Sequence, residues 1–351
     1  MKKIWIDYLR IIATVAVIVT HVSAGFLYET NLKFSNWWIG LFSAGSMRFC
    51  VPIFVMISGV LLLPEQYTLK AHLQKRFQRV LLPFIFWTMI YLSIDLLLPI
   101  LKGEQIIITD SLKHIASGLL FGVRGHLWYI YMILGVYLFI PFIQKWILQY
   151  ENNEMYLFLS LWVLTLVINW FIPSVSGEKG YNFRTGIDLT YFSGFIGYLV
   201  LGYYLSQKEI FNISNGKYYS ILLIIAGLVI TYVGTYWVSI PTESYARNFI
   251  RYLTPNVALV SIGVFLFFKN NCNKIIPQRH INQGLQTISK YSYGVYLSHI
   301  FSLWILGYIG ISKHFINPVI GIVTTTTICL MMSLMITIMI NKLPYGKYIS
   351  G

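Results

Sequence analysis

Residues 4–26 read Ile4-Trp5-Ile6-Asp7-Tyr8-Leu9-Arg10-Ile11-Ile12-Ala13-Thr14-Val15-Ala16-Val17-Ile18-Val19-Thr20-His21-Val22-Ser23-Ala24-Gly25-Phe26. Crossing roughly 30 Å of hydrocarbon takes about 20 apolar residues in a helix, and this run is long enough while carrying three polar exceptions, Asp7, Arg10 and His21. No small-residue cleavage site follows, so it reads as a retained transmembrane helix rather than a signal peptide. At about 100° per residue, the step from Arg10 to His21 ends about 20° from three full turns. The two side chains therefore share one face, about 16 Å apart along the axis.

Similar apolar runs recur at residues 38–63, 80–100, 127–148, 156–172, 189–206, 218–238, 250–268, 288–311 and 318–340. They predict an all-α integral membrane protein of about ten transmembrane helices, forming one membrane domain over residues 1–351 with no separate soluble domain. Composition agrees. The chain is 57% hydrophobic and 11% charged, and a soluble protein so built would expose large apolar patches. Of the 26 Tyr and 10 Trp, many fall at run ends, where amphipathic rings suit the headgroup region.

The net charge of +14 forms no continuous basic stripe, which excludes a nucleic-acid-binding reading. It fits membrane orientation instead. With alternating loops, Lys2, Lys3, Lys70, Lys75, Arg76, Arg79, Lys145, Lys208, Lys217, Lys269, Lys274, Arg279, Lys290, Lys342 and Lys347 fall on one side. Lys33, Lys102, Lys113, Arg124, Lys179, Arg184, Arg247, Arg251 and Lys313 fall on the other, so the excess of basic residues inside predicts both termini in the cytoplasm. Residues 101–126 form the longest outer loop, and Leu112, Ile115, Leu119 and Leu120 give it one apolar helical face, predicting a helix on the membrane surface. Cys50 and Cys329 lie in apolar runs and Cys272 in a basic loop, so neither a disulfide nor a metal site is expected.

Ionisable groups in hydrocarbon cost roughly 3 kcal/mol or more and mark protein-lined or wet interiors. Arg10 could hold an anion with forked hydrogen bonds while His21 acts as a base deeper in the membrane; the plainer alternative pairs Arg10 with Asp7 and leaves His21 at the outer boundary. Arg48 needs a partner, either Asp95, a bound anion or an acceptor. Ser58 and Gly59 offer close helix packing, with a ligand role for Ser58 as the alternative. Arg76 and Arg79 project from one side of a helix entering the membrane, where they bind phosphates or simply fix topology. His126, Trp128 and Tyr131 open the fourth run, where an aromatic belt or a sugar-stacking platform would place them. His299 lies mid-membrane as a packed histidine or as a base.

In chain order, the following fragments resemble the acyltransferase family 3 membrane proteins, which include surface polysaccharide O-acetyltransferases and the enterobacterial common antigen O-acetyltransferase. They are Arg10 with His21 ten intervening residues later, Phe54 to Gly59, the Arg76 and Arg79 pair before Pro83, His126-Leu127-Trp128-Tyr129, and Tyr293-Gly294-Val295-Tyr296 followed by His299. The resemblance implies a multi-pass protein of the bacterial cytoplasmic membrane. It implies acetyl-CoA or another short acyl-CoA as donor, no metal, and a hydroxyl of a cell-surface or lipid-linked glycan as acceptor. Arg76, Arg79 and Arg10 would bind the donor, with His21 catalytic, Arg10 and Asp7 beside it, and Arg48, Ser58, His126, Trp128, Tyr131 and His299 serving the acceptor or the oxyanion. Membrane lipid and glycan are the expected partners, with a homo-oligomer as an option. Many relatives carry a C-terminal hydrolase-like domain; with Gly351 soon after the last apolar run, the standalone type is the expectation. The rival reading is a polysaccharide exporter or transporter without acyl transfer.

Overall fold

The computed structural model describes residues 4–29, 32–65, 68–103, 108–176, 190–207, 213–241, 243–272 and 279–351. Of the cations assigned to the two membrane sides, Lys2, Lys3, Lys179, Arg184, Lys208 and Lys274 lie outside these residues. The described residues are helical with short connections: α1 (Ile4–Ser23), α2 (Ser35–Leu62), α3 (Leu69–Leu101), α4 (Ile108–Phe121), α5 (Trp128–Ile147), α6 (Asn152–Ser176), α7 (Thr190–Gln207), α8 (Ile213–Ser239), α9 (Pro255–Asn271), α10 (Arg279–Lys290), α11 (Ser292–Tyr308) and α12 (Pro318–Lys342).

Six stretches among the described residues are long and apolar enough to cross a membrane: Ile4–Tyr28, Ser35–Leu62, Leu69–Leu101, Thr109–Ile147, Asn215–Ser239 and Pro318–Lys342. Their outward faces are oily. On α8, Leu222, Ile225, Val229 and Val233 are exposed, and on α12 so are Val319, Val323, Met331, Met335 and Met339. Residues three or four apart share a helical face, so these are apolar stripes turned away from the protein, broken on α12 only by the exposed Thr327 among the described residues, as suits a multi-pass membrane protein. Helix α4 forms where the loop pattern predicts it; Leu112, Leu119 and Leu120 stay exposed, leaving its apolar face uncovered by protein.

Helix α1 is the axle of the bundle. It packs against α2, α9, α10, α11 and α12, with Leu9, Ala13 and Ala16 wholly buried. Its hydroxyls turn back onto its own carbonyls, Thr14 to Arg10 at 2.7 Å, Thr20 to Ala16 at 2.9 Å and Ser23 to Val19 at 2.6 Å, which satisfies them without water. Helices α2 and α7 cross so closely that a Cβ at Gly59 would lie 1.9 Å from the Leu199 carbonyl oxygen, and one at Gly202 would lie 2.3 Å from that of Met56. Gly59 is thus a packing residue, present because a side chain does not fit.

Prolines account for two of the places where the helices deform. A proline removes one N–H and its ring presses on the carbonyl four residues earlier. Pro52 follows a tight 3-10 turn at Met47–Phe49, and Pro83 follows a wide π turn at Phe77–Leu81. The carbonyls relieved of their helical donors are those of Arg48 and Arg79; Pro99 and Pro141 do the same for Asp95 and Tyr137. One freed group is visibly reused, because His72 donates from Nε2 to the Tyr137 carbonyl oxygen at 3.0 Å, tying the start of α3 to α5. His72→Ala should therefore lower stability by about 1 kcal/mol, read as a reduced thermal midpoint of the purified protein in detergent; an unchanged midpoint would show that the bond carries no net stability.

The run at residues 288–311 corrects the sequence expectation of one helix. It is interrupted at Tyr291, between α10 and α11. Local polar groups compete for the backbone there: the Ser292 hydroxyl donates to the Ser289 carbonyl at 2.9 Å, and the Ser289 hydroxyl donates to Asp7 Oδ1 at 2.6 Å.

Candidate functional site

The face of α1 that holds Arg10 and His21 looks inward, onto two cavities. The larger, about 840 Å³, is lined by Arg10, Lys75, Arg76, Arg79, Lys290 and Lys347, with Glu65 as its one acidic side chain among the described residues. Its walls are apolar and aromatic, with Phe54, Ile57, Ile133, Tyr137 and Tyr293. Arg10 reaches Asp7 at 3.8 Å, the pairing the three-residue spacing allows, and Asp7 is in turn held by Ser289. Arg10 nevertheless keeps about a third of its side chain accessible (32%), so it faces the cavity while Asp7 anchors it from behind. Arg76 lies over the Tyr137 ring, 5.4 Å from its centroid, and its Nε finds no hydrogen-bond partner among the described residues. Six basic side chains against one acidic side chain among the described residues give this cavity an excess of positive charge suited to an anionic ligand.

The second cavity is a chamber of about 20 Å³ lined by Val17, Thr20, His21, Cys50, Val51, His126, Trp128, Tyr129, Tyr252 and Tyr296. Three imidazoles from distant parts of the chain meet around it. His21 lies 5.0 Å from His299 and 6.2 Å from His126, and the last two are 4.9 Å apart, centroid to centroid. His21 is solvent-accessible although it belongs to the central helix. His126 is 3% exposed, with its ring beside the Leu297 backbone. His299 is sealed, with Nδ1 against the Tyr296 carbonyl at 2.5 Å and Nε2 unpartnered among the described residues. Among the described residues, no group of three or more His, Cys, Asp or Glu is placed to hold a metal ion.

The turn of α11 that carries His299 is contacted by Tyr91. The Tyr91 hydroxyl donates to the Leu297 carbonyl at 2.8 Å and accepts from the Phe301 N–H at 3.3 Å, the acceptor and donor of one turn of α11. The same Tyr91 ring lies 5.8 Å from His126, so α3 supports two of the three imidazoles.

Other sequence candidates separate. Arg48 does not reach Asp95, because Asp95 is taken by both guanidinium nitrogens of Arg124, one at 3.0 Å and one at 2.5 Å, and by His114 at 3.1 Å. Arg48 instead meets Tyr252, whose hydroxyl is 3.4 Å from Nη1 and whose ring is 5.7 Å from Cζ; its Nε has no partner among the described residues. It stands just before Cys50 and Val51 of the chamber. Trp128 stacks on Tyr252 at 5.5 Å and lines the chamber too. Ser58 belongs to the larger cavity, bonded to the Phe54 carbonyl and the Tyr137 hydroxyl, each at 3.0 Å. Tyr131 is in neither cavity; its hydroxyl donates to the Leu119 carbonyl at 2.6 Å and its ring packs on Phe84.

Sequence reasoning missed Tyr137, Lys75, Lys290 and Lys347 as cavity residues. Pro141, four residues after Tyr137, was a signal for the first; the lysines carried none beyond their side of the membrane.

Residues 3–340 match a family model described as an acyltransferase domain. No curated protein and no solved structure is significantly similar to the chain.

Proposed function

The chain belongs to the acyltransferase domain family, and on that premise we propose that it moves a short acyl group from cytoplasmic acyl-CoA to a hydroxyl of a cell-surface or lipid-linked glycan. The observation that carries this reading is the inward stripe of α1, with Arg10 in a large basic cavity and His21 in a small imidazole-lined chamber. About ten membrane crossings with both termini cytoplasmic would put the basic cavity on the side where acyl-CoA is made.

Arg76 and Arg79, with Lys75, Lys290 and Lys347 near them, hold the phosphates of the donor, and Arg10 lies farther along its path. The thioester then meets His21. As the glycan oxygen bonds to the thioester carbonyl carbon, its proton passes to the His21 ring; the C–S bond breaks, and the same proton leaves with the thiolate as coenzyme A thiol. In the two-step version His21 takes the acyl group first and then yields it to the glycan. Arg48, which enters the membrane without a carboxylate partner among the described residues, and the His126 ring of the chamber supply donors for the carbonyl oxygen as it gains charge. Trp128 offers a flat face to the sugar.

The exporter reading rests on no specific observation of this geometry, in which the rings of Tyr129 and Tyr296 stand between the two cavities. The donor site is tested by Arg76→Ala with Arg79→Ala. Losing two charge-assisted contacts should raise the donor KM about 100-fold with kcat changed much less. An unchanged donor KM would remove the phosphate role.

A further inference from the structure

The end of α1 away from the basic cavity carries a separate group of side chains. Past His21 the chain runs on to Tyr28, 55% exposed, whose ring centroid lies 5.1 Å from Arg247 Cζ and 5.2 Å from that of Tyr245, edge toward face at 85°. Tyr245 borders Arg48, Arg48 lies over the Tyr252 ring, and Tyr252 stacks on Trp128. The last two line the chamber that holds His21. Rings and guanidiniums thus follow one another from the exposed Arg247 inward, a pattern in which flat rings take the C–H faces of sugars and guanidiniums take their oxygens. Tyr245, Arg247 and Tyr252 all stand on residues 240–254, the connection between α8 and α9. That connection is held in place: the Ala246 N–H donates to the Ser239 hydroxyl at 3.0 Å, Asn256 Nδ2 to the Phe249 carbonyl at 2.6 Å, and the Tyr198 hydroxyl to the Tyr252 carbonyl at 2.8 Å. A loop fixed in this way binds a ligand without the entropic cost of ordering itself. Arg247 is exposed, and the ion pairs among the described residues do not include it; Glu243 is the one acidic residue of the connection and is not paired with it.

We propose that Tyr28, Tyr245 and Arg247 form an acceptor subsite for an anionic sugar, a uronate or a sugar phosphate, so that the acceptor glycan is an acidic one. This inference rests on the acyltransferase reading and narrows its acceptor from any surface glycan to a charged one. The acid group takes forked hydrogen bonds from the Arg247 guanidinium, whose planar donors match carboxylate and phosphate oxygens. The ring of that sugar lies against Tyr28, and a neighbouring unit of the same glycan reaches Trp128 and presents its hydroxyl to His21. The glycan thus approaches from the end of α1 opposite Arg10, and donor and acceptor draw on different cations: Arg10, Lys75, Arg76, Arg79, Lys290 and Lys347 for one, Arg247 for the other. Arg247 lines neither cavity, so it selects the acceptor and leaves donor binding alone. Because its guanidinium is exposed, its attraction for the glycan is screened by salt.

The test uses the purified full chain in nanodiscs of phosphatidylcholine alone, with acetyl-CoA labelled in its acetyl group and cell-surface glycan separated by anion exchange into an acidic and a neutral pool. The label should enter the acidic pool in preference to the neutral one. Arg247→Gln should raise the KM for the acidic pool about tenfold, the loss of one charge-assisted contact, with the donor KM and the thermal midpoint unchanged. Arg247→Lys should recover part of that loss, and added salt should raise the glycan KM of the wild type more steeply than that of Arg247→Gln. Tyr28→Ala, which removes the ring under the sugar, provides the same comparison if the glutamine variant does not fold. Equal or greater labelling of the neutral pool, or a glycan KM unmoved by these substitutions, overturns the subsite while leaving acyl transfer intact. An effect of Arg247→Gln that appears only when phosphatidylglycerol is added to the discs makes the residue a lipid contact and overturns the subsite as well. Labelling of neither pool overturns the reading as a glycan acyltransferase, and the subsite with it.

Discussion

Replacing His21 with alanine is expected to lower acyl transfer by about a thousandfold or more while the protein still inserts, purifies as a single species and keeps its thermal midpoint. The size of the loss follows from the two roles open to the ring: a positioned general base contributes about 10²- to 10⁴-fold, and a nucleophile that forms an acyl intermediate cannot be replaced by a methyl group. Stability should be spared because the ring borders a chamber instead of filling the core, and its neighbours in that direction are two other imidazoles. The packing that holds α1 lies on Leu9, Ala13 and Ala16, which the substitution does not touch. Steady-state kinetics with the purified variant, together with a thermal scan, checks both halves of the expectation. Full retained activity would remove His21 as base or nucleophile, and a collapsed thermal midpoint would make the residue structural.

The second large effect concerns the frame that holds the site. Gly59→Val should prevent correct assembly of the bundle, because even the first added carbon would sit 1.9 Å from the Leu199 carbonyl oxygen, and that oxygen belongs to backbone that has no rotamer to escape into. Helices α2 and α7 would have to move apart along their whole crossing. Overpacking of a fixed core costs about 1–3 kcal/mol and more when backbone must shift, and α2 also carries Cys50 and Val51 of the chamber and Ser58 of the large cavity. The expected readout is loss of the monodisperse purified species, or a thermal midpoint many degrees lower, with activity lost in parallel. The reciprocal change Gly202→Val should behave alike, since its added carbon would meet the Met56 backbone. Wild-type stability in either variant would mean that the crossing is looser than described.

The inward stripe of α1 was legible because an eleven-residue step nearly closes whole helical turns, a property of one element that needs no knowledge of its neighbours. Arg76 and Arg79 were legible for the same reason, being three apart on one helix, and the large cavity contains both. Partnerships between distant elements were not. Asp95 stood open as a partner for Arg48, yet Arg124 claims it from residues that follow the next helix. The meeting of His21, His126 and His299 joins α1, the turn before α5 and α11, and no spacing in a single run encodes it. The break at Tyr291 hid inside a run whose apolar content suited one helix, and only the Asp7 to Ser289 contact reveals why the chain turns there. Prolines were the underused signal. Four of them stand four residues after Arg48, Arg79, Asp95 and Tyr137, so the rule that a proline frees the carbonyl before it would have pointed to each of these positions.

The most direct measurement is transfer of label from acyl-CoA by the purified protein. Full-length chain in nanodiscs, given acetyl-CoA labelled in its acetyl group and glycan from the cell surface, should release coenzyme A thiol and place the label on the glycan in equal amounts. No thiol release, from a protein that is folded and binds either substrate, would contradict the account.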